Sequence, residues 1–366
     1  MTLPTCALTY IVLEDALHVM LENAKRLEEK VLYSAEDVDA VHARCNGVGY
    51  HEQVEIAPGI TAMFHDAGHV LGSAYISIQT EGKKVVFSGD IGNDNVPILA
   101  DTEPLSQADV LVCESTYGHL IHEPASERSR LLKKYLSETI KSGGTLAIPA
   151  FSIERTQELL YALNQILLHD LKTSVPIFLD SPMAIRATEL YRHFKNYLEF
   201  DESILSDPDR DFFSFPNLRE TLTTEESKFI NKAPSPKVVI AGSGMMTGGR
   251  IMHHLIRILP EANSRVLIIG YQARGSLGRA IFEGAKQVRI YGQEVEVNAK
   301  VDAIGAFSAH GDQAKLTRWL QPEDKVLPKI FLVHGDHEAQ DIFATHLKHE
   351  LRAEVKIPDE GEVFEV

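Results

Sequence analysis

Cysteine is scarce in this chain: Cys6, Cys45 and Cys113 are the only three in 366 residues, and none are paired as CxxC. An odd, scattered set argues against a disulfide framework and a cysteine-rich zinc site, so reduced and mostly buried thiols are expected. Long apolar runs are also lacking. None approaches the roughly 20 residues needed to span a bilayer, and no membrane partner is expected. The first residues, Met1 to Thr5, have neither the basic nor the apolar region of a secretory leader, and the expectation is a cytoplasmic protein. Positive charge is in short supply, with 36 Lys and Arg against 52 Asp and Glu, a formal net charge of −16. Taken alone, that lowers the odds of a nucleic-acid ligand, because phosphate needs local positive potential, although distribution can override the total. Internal repeats and low-complexity tracts are absent.

What remains is enough for a substantial core. Apolar residues make up 44% and charged residues 24% of the chain, ordinary values for a globular protein with two domains or one elaborated one. Leu13, Ala16, Leu17, Met20, Leu21, Ala24 and Leu27 recur at helical spacing and predict an amphipathic helix over 12–30. Ser34 and Asp37 form a capping-box pattern that opens a second, short helix. Strand patterns at 74–80 and 84–88 flank Glu81 and Gly82, a hairpin signal. From residue 126 onward, helical patterns at 126–142, 153–170, 183–198, 249–258, 276–285, 312–320 and 337–351 alternate with strands. The strands are expected at 146–149, 176–179, 237–241, 265–269 and 329–333, which predicts an α/β fold with largely parallel sheet. The polar stretch 200–236 reads as a long excursion carrying one short helix.

Several apolar strands end in a residue able to bind a cation. The strand at 84–88 breaks at Gly89 and presents Asp90. Those at 61–64, 110–113 and 330–333 lead to His69, Glu114 and His334, and an apolar run precedes His310. Imidazole is the commonest metal ligand, and Gly68 and Gly72 beside His69 permit close backbone approach. Each residue has a plainer reading by itself. His65 and His69 are the kind of histidine that is often a satisfied structural residue, Asp90 suits an Asx turn, and Glu114 suits a helix cap or loop carboxylate. Five such strand ends in one chain point to one shared site.

The ordered motifs GHxxGS (68–73), SGDIG (88–92), ESTYG (114–118), GSGMMTGGR (242–250), GYQARGSLGR (270–279), FSAHGD (307–312) and VHGD (333–336) resemble the β-CASP family of the metallo-β-lactamase superfamily. Within it, the chain is most similar to the RNA-processing nucleases related to the cleavage-and-polyadenylation endonuclease. The resemblance runs over essentially the whole chain. It implies a metallo-β-lactamase αββα sandwich, N-terminally incomplete, formed by 1–118 and 291–366, with an inserted α/β β-CASP domain at 119–290 and the substrate in the cleft between them. It implies His69, Asp90 and His334 as ligands of two zinc ions, with Asp90 bridging. It also implies His310 as a proton donor paired with Glu114, so that Asp90, Glu114 and His310 form the catalytic group. Such a two-metal site generates hydroxide near neutral pH and stabilises both oxygens of an in-line phosphodiester displacement. His334, where DNA-directed members tend to carry Val, favours RNA.

Ser243, Gly244 and Arg274 are candidates to bind RNA phosphates, Ser243 and Gly244 through backbone N–H groups after a strand. Ser243 reads equally as part of a tight turn. Arg155, Arg250, Arg274 and Arg279 are candidates for a local basic surface. One departure stands out. The family's HxHxDH motif, which precedes GHxxGS and supplies four ligands, is absent, and His42 and His51 lack the spacing to replace it. A piece of a longer nuclease is the preferred expectation. The overall reading is a zinc-dependent nuclease cutting within single-stranded RNA, with a homodimer left open. Its alternative is a catalytically silent RNA-binding or scaffolding subunit.

Overall fold

The computed structural model describes residues 1–27, 30–199, 211–321 and 327–365. They fall into two units, Met1–His122 with Asn196–Glu199 and Ala309–Val366, and Glu123–Lys195 with Phe200–Ser308.

Helix α1 (Leu3–Leu27) begins nine residues before the periodicity suggests. Thr2 explains the early start, because its hydroxyl accepts the Thr5 N–H at 3.3 Å, and Pro4 falls in the first turn, where a missing N–H costs nothing. The helix start is fastened to Gly72, whose carbonyl accepts the Thr2 and Thr5 hydroxyls at 2.6 and 2.9 Å. By length and composition alone, Leu3–Lys25 is apolar enough to cross a membrane. A search for uncharged runs misses it because Glu14 and Asp15 lie at mid-helix. Leu8, Ile11 and Leu17 of this helix are buried against the first unit. α2 (Ala35–Arg44) opens on the expected capping box of Ser34 and Asp37.

β1 (Gln53–Ala57), β2 (Ile60–Asp66), β3 (Ala74–Thr80) and β4 (Lys83–Phe87) follow as an antiparallel meander. The β3–β4 turn is the expected one: Glu81 and Gly82 both have positive φ, 46° and 75°, the pairing that matches strand twist in a two-residue hairpin. β5 (Val110–Glu114) then lies parallel to β4.

The second unit contains α3 (Glu127–Ser142), β6 (Thr145–Pro149), α4 (Arg155–Gln165), β7 (Ile177–Asp180), α5 (Pro182–His193), β8 (Leu218–Glu220), α6 (Thr224–Ile230), β9 (Lys237–Ala241), α7 (Ile251–Ile258), β10 (Arg265–Ile268), α8 (Leu277–Phe282), β11 (Gln287–Ile290), β12 (Gln293–Glu296) and β13 (Lys300–Ala303). Six of its strands form a wholly parallel sheet in the order β13-β10-β6-β9-β7-β8. Such sheets are covered on both faces, which is why β6 and β7 are buried at every position. The hairpin β11–β12 and strand β13 carry few apolar residues and left no readable pattern. Among the described residues of the polar excursion the one short helix is α6, and residues 200–210 of that stretch lie outside the described residues.

The chain returns to the first unit with α9 (Gln313–Trp319), β14 (Lys329–Val333), α10 (His337–Glu350) and β15 (Val355–Lys356). β14 inserts parallel to β5 and completes a seven-stranded sheet, β1-β2-β3-β4-β5-β14-β15. Among the described residues the first unit contains this one sheet. Leu316, Trp319, Phe343 and Leu347 from α9 and α10 pack against Val86, Leu111, Cys113, Ile330 and Leu332 of the strands. Each such side chain contributes about 1.5–3 kcal/mol on burial. Cys113 is buried as expected, whereas Cys6 and Cys45 are only partly covered.

The expected basic surface is not built from Arg155 and Arg250. Arg155 is 3% exposed and is held by Glu158 and the Phe307 carbonyl. Arg250 donates to Asp180 at 2.7 Å and to the carbonyls of Thr221 and Leu222, while Arg279 pairs with Glu283 at 2.6 Å. Arg155 and Arg279 are paired with acids three and four residues on, and Arg250 with one 70 residues earlier in the chain.

Candidate metal centre and active site

β2, β4, β5 and β14 are neighbours or near neighbours in one sheet, so the loops that leave them converge at one end. After β2, the loop 67–73 is closed by Ser73, whose hydroxyl accepts the N–H groups of His69 and Val70 at 3.0 and 3.2 Å. That is the physical content of the serine in GHxxGS: it turns the backbone so that His69 faces the sheet end.

After β4, the loop 88–93 is threaded between two others. Gly92 N–H donates to Ala67 at 2.8 Å, Asn93 N–H to Ala309 at 2.8 Å, and Gly311 N–H to Ile91 at 2.7 Å. A Cβ on Gly92 would stand 2.0 Å from the Gly68 carbonyl oxygen, so only glycine allows the loops carrying His69, Asp90 and His310 to lie this close. Gly335 has the same function beside His334. A Cβ there would meet the Ser115 carbonyl at 2.9 Å, and Ser115 N–H bonds to the His334 carbonyl at 3.0 Å.

The five residues expected from the sequence therefore come together in the first unit. One ligand atom each from His69, Asp90 and His310 lies within 4.8 Å of the other two. Asp90 divides its oxygens between two imidazoles: Oδ2 is 3.7 Å from His69 Nε2, and Oδ1 is 3.0 Å from His334 Nδ1. Glu114 is buried. Its Oε1 accepts the Ile91 N–H at 2.6 Å, and both oxygens stand 3.2 Å from His310 Nδ1, leaving Nε2 of that ring for other work. Burial acts to raise the Asp90 pKa, but the His334 hydrogen bond and the charges of His69, His310 and His334 outweigh it and hold the group at about 2. His334 shifts the other way. Its hydrogen bond to Asp90 raises it, against the opposing effect of burial.

This donor set fits a metal ion. Two or three imidazoles with one ionised carboxylate, half-buried and converging from separate loops, is the nitrogen and oxygen mixture that zinc takes at catalytic sites.

Ser243, Gly244 and Arg274 belong to the second unit and follow the carboxyl ends of β9 and β10, the usual ligand-binding edge of an open parallel sheet. The Ser243 hydroxyl accepts the Thr247 N–H at 3.1 Å, which is the turn contact its sequence also suggested. Gly244 lies against the Phe151 ring, and its carbonyl accepts from Gln272 at 3.0 Å. Two hydroxyls that the sequence did not single out, Ser152 and Ser181, stand 3.2 Å apart beside Gly242. Their only advance signal was a serine just beyond an apolar strand.

Comparison with known proteins places these features. Residues 156–281 match the Beta-Casp domain, and 294–358 match the Zn-dependent metallo-hydrolase RNA specificity domain. Ribonuclease TTHA0252 of Thermus thermophilus is 38% identical over 338 residues, 92% of this chain and 75% of that protein. The RNase J-like protein of Methanocaldococcus jannaschii is 32% identical over 369 residues, 100% of this chain and 82% of that protein. The chain belongs to the β-CASP family of metallo-β-lactamase-type hydrolases. A longer β-CASP relative, transcription termination factor FttA of Methanocaldococcus jannaschii, is 30% identical over 372 residues, 98% of this chain but 57% of that protein. Membership brings with it a metal cofactor, generally zinc, for which the donor set described above is suited.

Proposed function

We propose that this protein is a zinc-dependent RNA nuclease that hydrolyses phosphodiester bonds and cuts within single-stranded RNA. The observation that carries the reading is His310 clamped by buried Glu114 beside His69, Asp90 and His334. Zinc bound there supplies Lewis acidity toward the scissile phosphate and activates water. The two oxygens of Asp90 face different histidines, as a carboxylate bridging two ions would, and we assign His69 and His334 to opposite sides of it.

His310 is the proton donor to the leaving oxygen. A carboxylate on Nδ1 fixes the tautomer and orientation of an imidazole and stabilises its protonated form, so that Nε2 delivers the proton. Ser243, Gly244 and Arg274 are assigned to RNA phosphates, from the edge where parallel sheets take their ligands. The catalytically silent alternative is the weaker reading, since a scaffold has no use for an acid–base pair held this closely.

The test is cleavage of a labelled single-stranded RNA, run beside a measurement of zinc content. Chelator-sensitive cleavage that returns with added zinc is expected. A zinc-loaded protein that binds the RNA and leaves it intact would transfer the assignment to the silent subunit.

A further inference from the structure

A second set of nitrogen and oxygen donors stands in the first unit, outside the group around Asp90. His51, His65 and Glu103 each offer one atom, and these lie within 4.8 Å of one another. His51 Nε2 is 3.2 Å from Glu103 Oε1, and His65 Nδ1 is 3.6 Å from Glu103 Oε2. The second distance is longer than a hydrogen bond. Both lie close to the separation of about 3.3 Å that two ligands show when each is about 2.0–2.1 Å from one tetrahedral zinc ion.

The ligands are held in advance. The His65 ring lies flat on Tyr75, centroids 4.5 Å apart and planes 7° apart, and its Nε2 is 3.1 Å from the Ser77 hydroxyl. With Nε2–H donated to Ser77, Nδ1 turns its lone pair toward Glu103, the arrangement by which a neighbouring group fixes the tautomer of a metal-binding histidine. Burial lowers the His65 pKa, the Glu103 charge opposing it, which favours the neutral ring that binds metals. Glu103 is fixed by its backbone: its N–H donates to Asp66 at 3.0 Å, and its carbonyl accepts from Trp319 Nε1 at 2.9 Å. Its Oε1 also accepts the Asp66 N–H at 3.1 Å. His51 is anchored by an N–H bond to Phe64 at 2.9 Å, while its side chain, 61% exposed, leaves one side of the cluster open to solvent.

We propose that His51, His65 and Glu103 form a second divalent-cation site of the zinc type, with its remaining position open to water. Nothing in this site depends on the RNA nuclease reading. The site also braces the loop that carries His69, since Asp66, bonded to Glu103, accepts the Gly68 N–H on Oδ1 at 2.8 Å.

The test starts from the chain with His69→Ala and Asp90→Ala, which removes from the first group the carboxylate and one of the imidazoles facing it. That variant should bind one equivalent of zinc in equilibrium dialysis, and cobalt(II) in its place should give the intense visible bands of a tetrahedral ion. Adding His51→Ala should abolish both. No zinc on the double variant, or one equivalent persisting on the triple variant, would overturn the proposal. Should the double variant fail to fold, His51→Ala alone decides, because that side chain is exposed. It should lower the zinc content of the otherwise unaltered chain by one equivalent, and an unchanged content would refute the site.

Discussion

His310 Nδ1 is equidistant, at 3.2 Å, from both carboxylate oxygens of Glu114, a side chain only 1% exposed. A buried carboxylate shared in this way fixes the orientation of the ring. His310→Ala should therefore slow cleavage by about 10²–10⁴-fold, the usual contribution of a positioned acid. Glu114→Gln keeps the shape without the charge and should cost about 10–100-fold. Single-turnover cleavage measures both, and rates equal to the unaltered protein would remove His310 from the chemistry.

Asp90→Ala deletes the carboxylate that faces both His69 and His334. The zinc held by that group should be lost from the purified protein, and metal analysis showing unchanged zinc content would sink the assignment.

The Asp90–His334 pair also makes a signed pH prediction for the metal-free chain. Asp90 is held at about 2 against an ordinary 3.8, so its contribution is present above pH 3.8 and fades as pH falls toward 2. His334 is raised above 6.5, so its contribution is present below 6.5 and is lost as pH rises through the raised value. The difference in Tm between the metal-free protein and His334→Ala should accordingly be largest between pH 4 and 6.5 and shrink on either side. Zinc affinity should rise as pH climbs above that range, where His334 gives up its proton.

Gly92→Ala tests the threading of the loops. With a Cβ 2.0 Å from the Gly68 oxygen, the loops must part, at a cost of about 1–3 kcal/mol or more in urea unfolding, together with weakened zinc binding. Normal zinc affinity in this variant would show that the loops tolerate separation.

Arg128 and Glu158 form a buried pair in the second unit, Nε to Oε1 at 2.7 Å, with the Arg128 Nε also bonded to the Ala306 carbonyl at 3.0 Å. Arg128→Ala uncovers a buried carboxylate and should cost about 3–5 kcal/mol. Zinc content should not change, because Asp90 and its partners belong to the other unit. A loss below about 1 kcal/mol would mean that Arg155 alone satisfies Glu158.

Elements whose signal is local were legible. The β3–β4 hairpin follows from alternating side chains around Glu81 and Gly82, and β6, β7 and β9 from short β-branched runs between helical patterns. The ends of β2, β4, β5 and β14, with the apolar run before His310, also delivered His69, Asp90, Glu114, His310 and His334 as one candidate group. Local pattern failed where stability comes from elsewhere: α1 starts early because Thr2 and Thr5 fasten it to Gly72, and β13 exists because β10 offers an edge.

By itself, then, the sequence determined an α/β chain with acid and imidazole side chains at strand ends, and motifs specific enough to name a family. Tertiary structure supplied the geometry. Glu114, which the family resemblance pairs with His310, meets it across 196 residues, and Asp90 divides its oxygens between two histidines. Structure alone decided that Arg155 is buried and that His51 and His65 gather on Glu103. Hydrophobic period and turn chemistry act over a few residues and can be read along the chain. Distances between loops depend on strand order, register and the width of a glycine, and these exist only once the sheet has closed around its core.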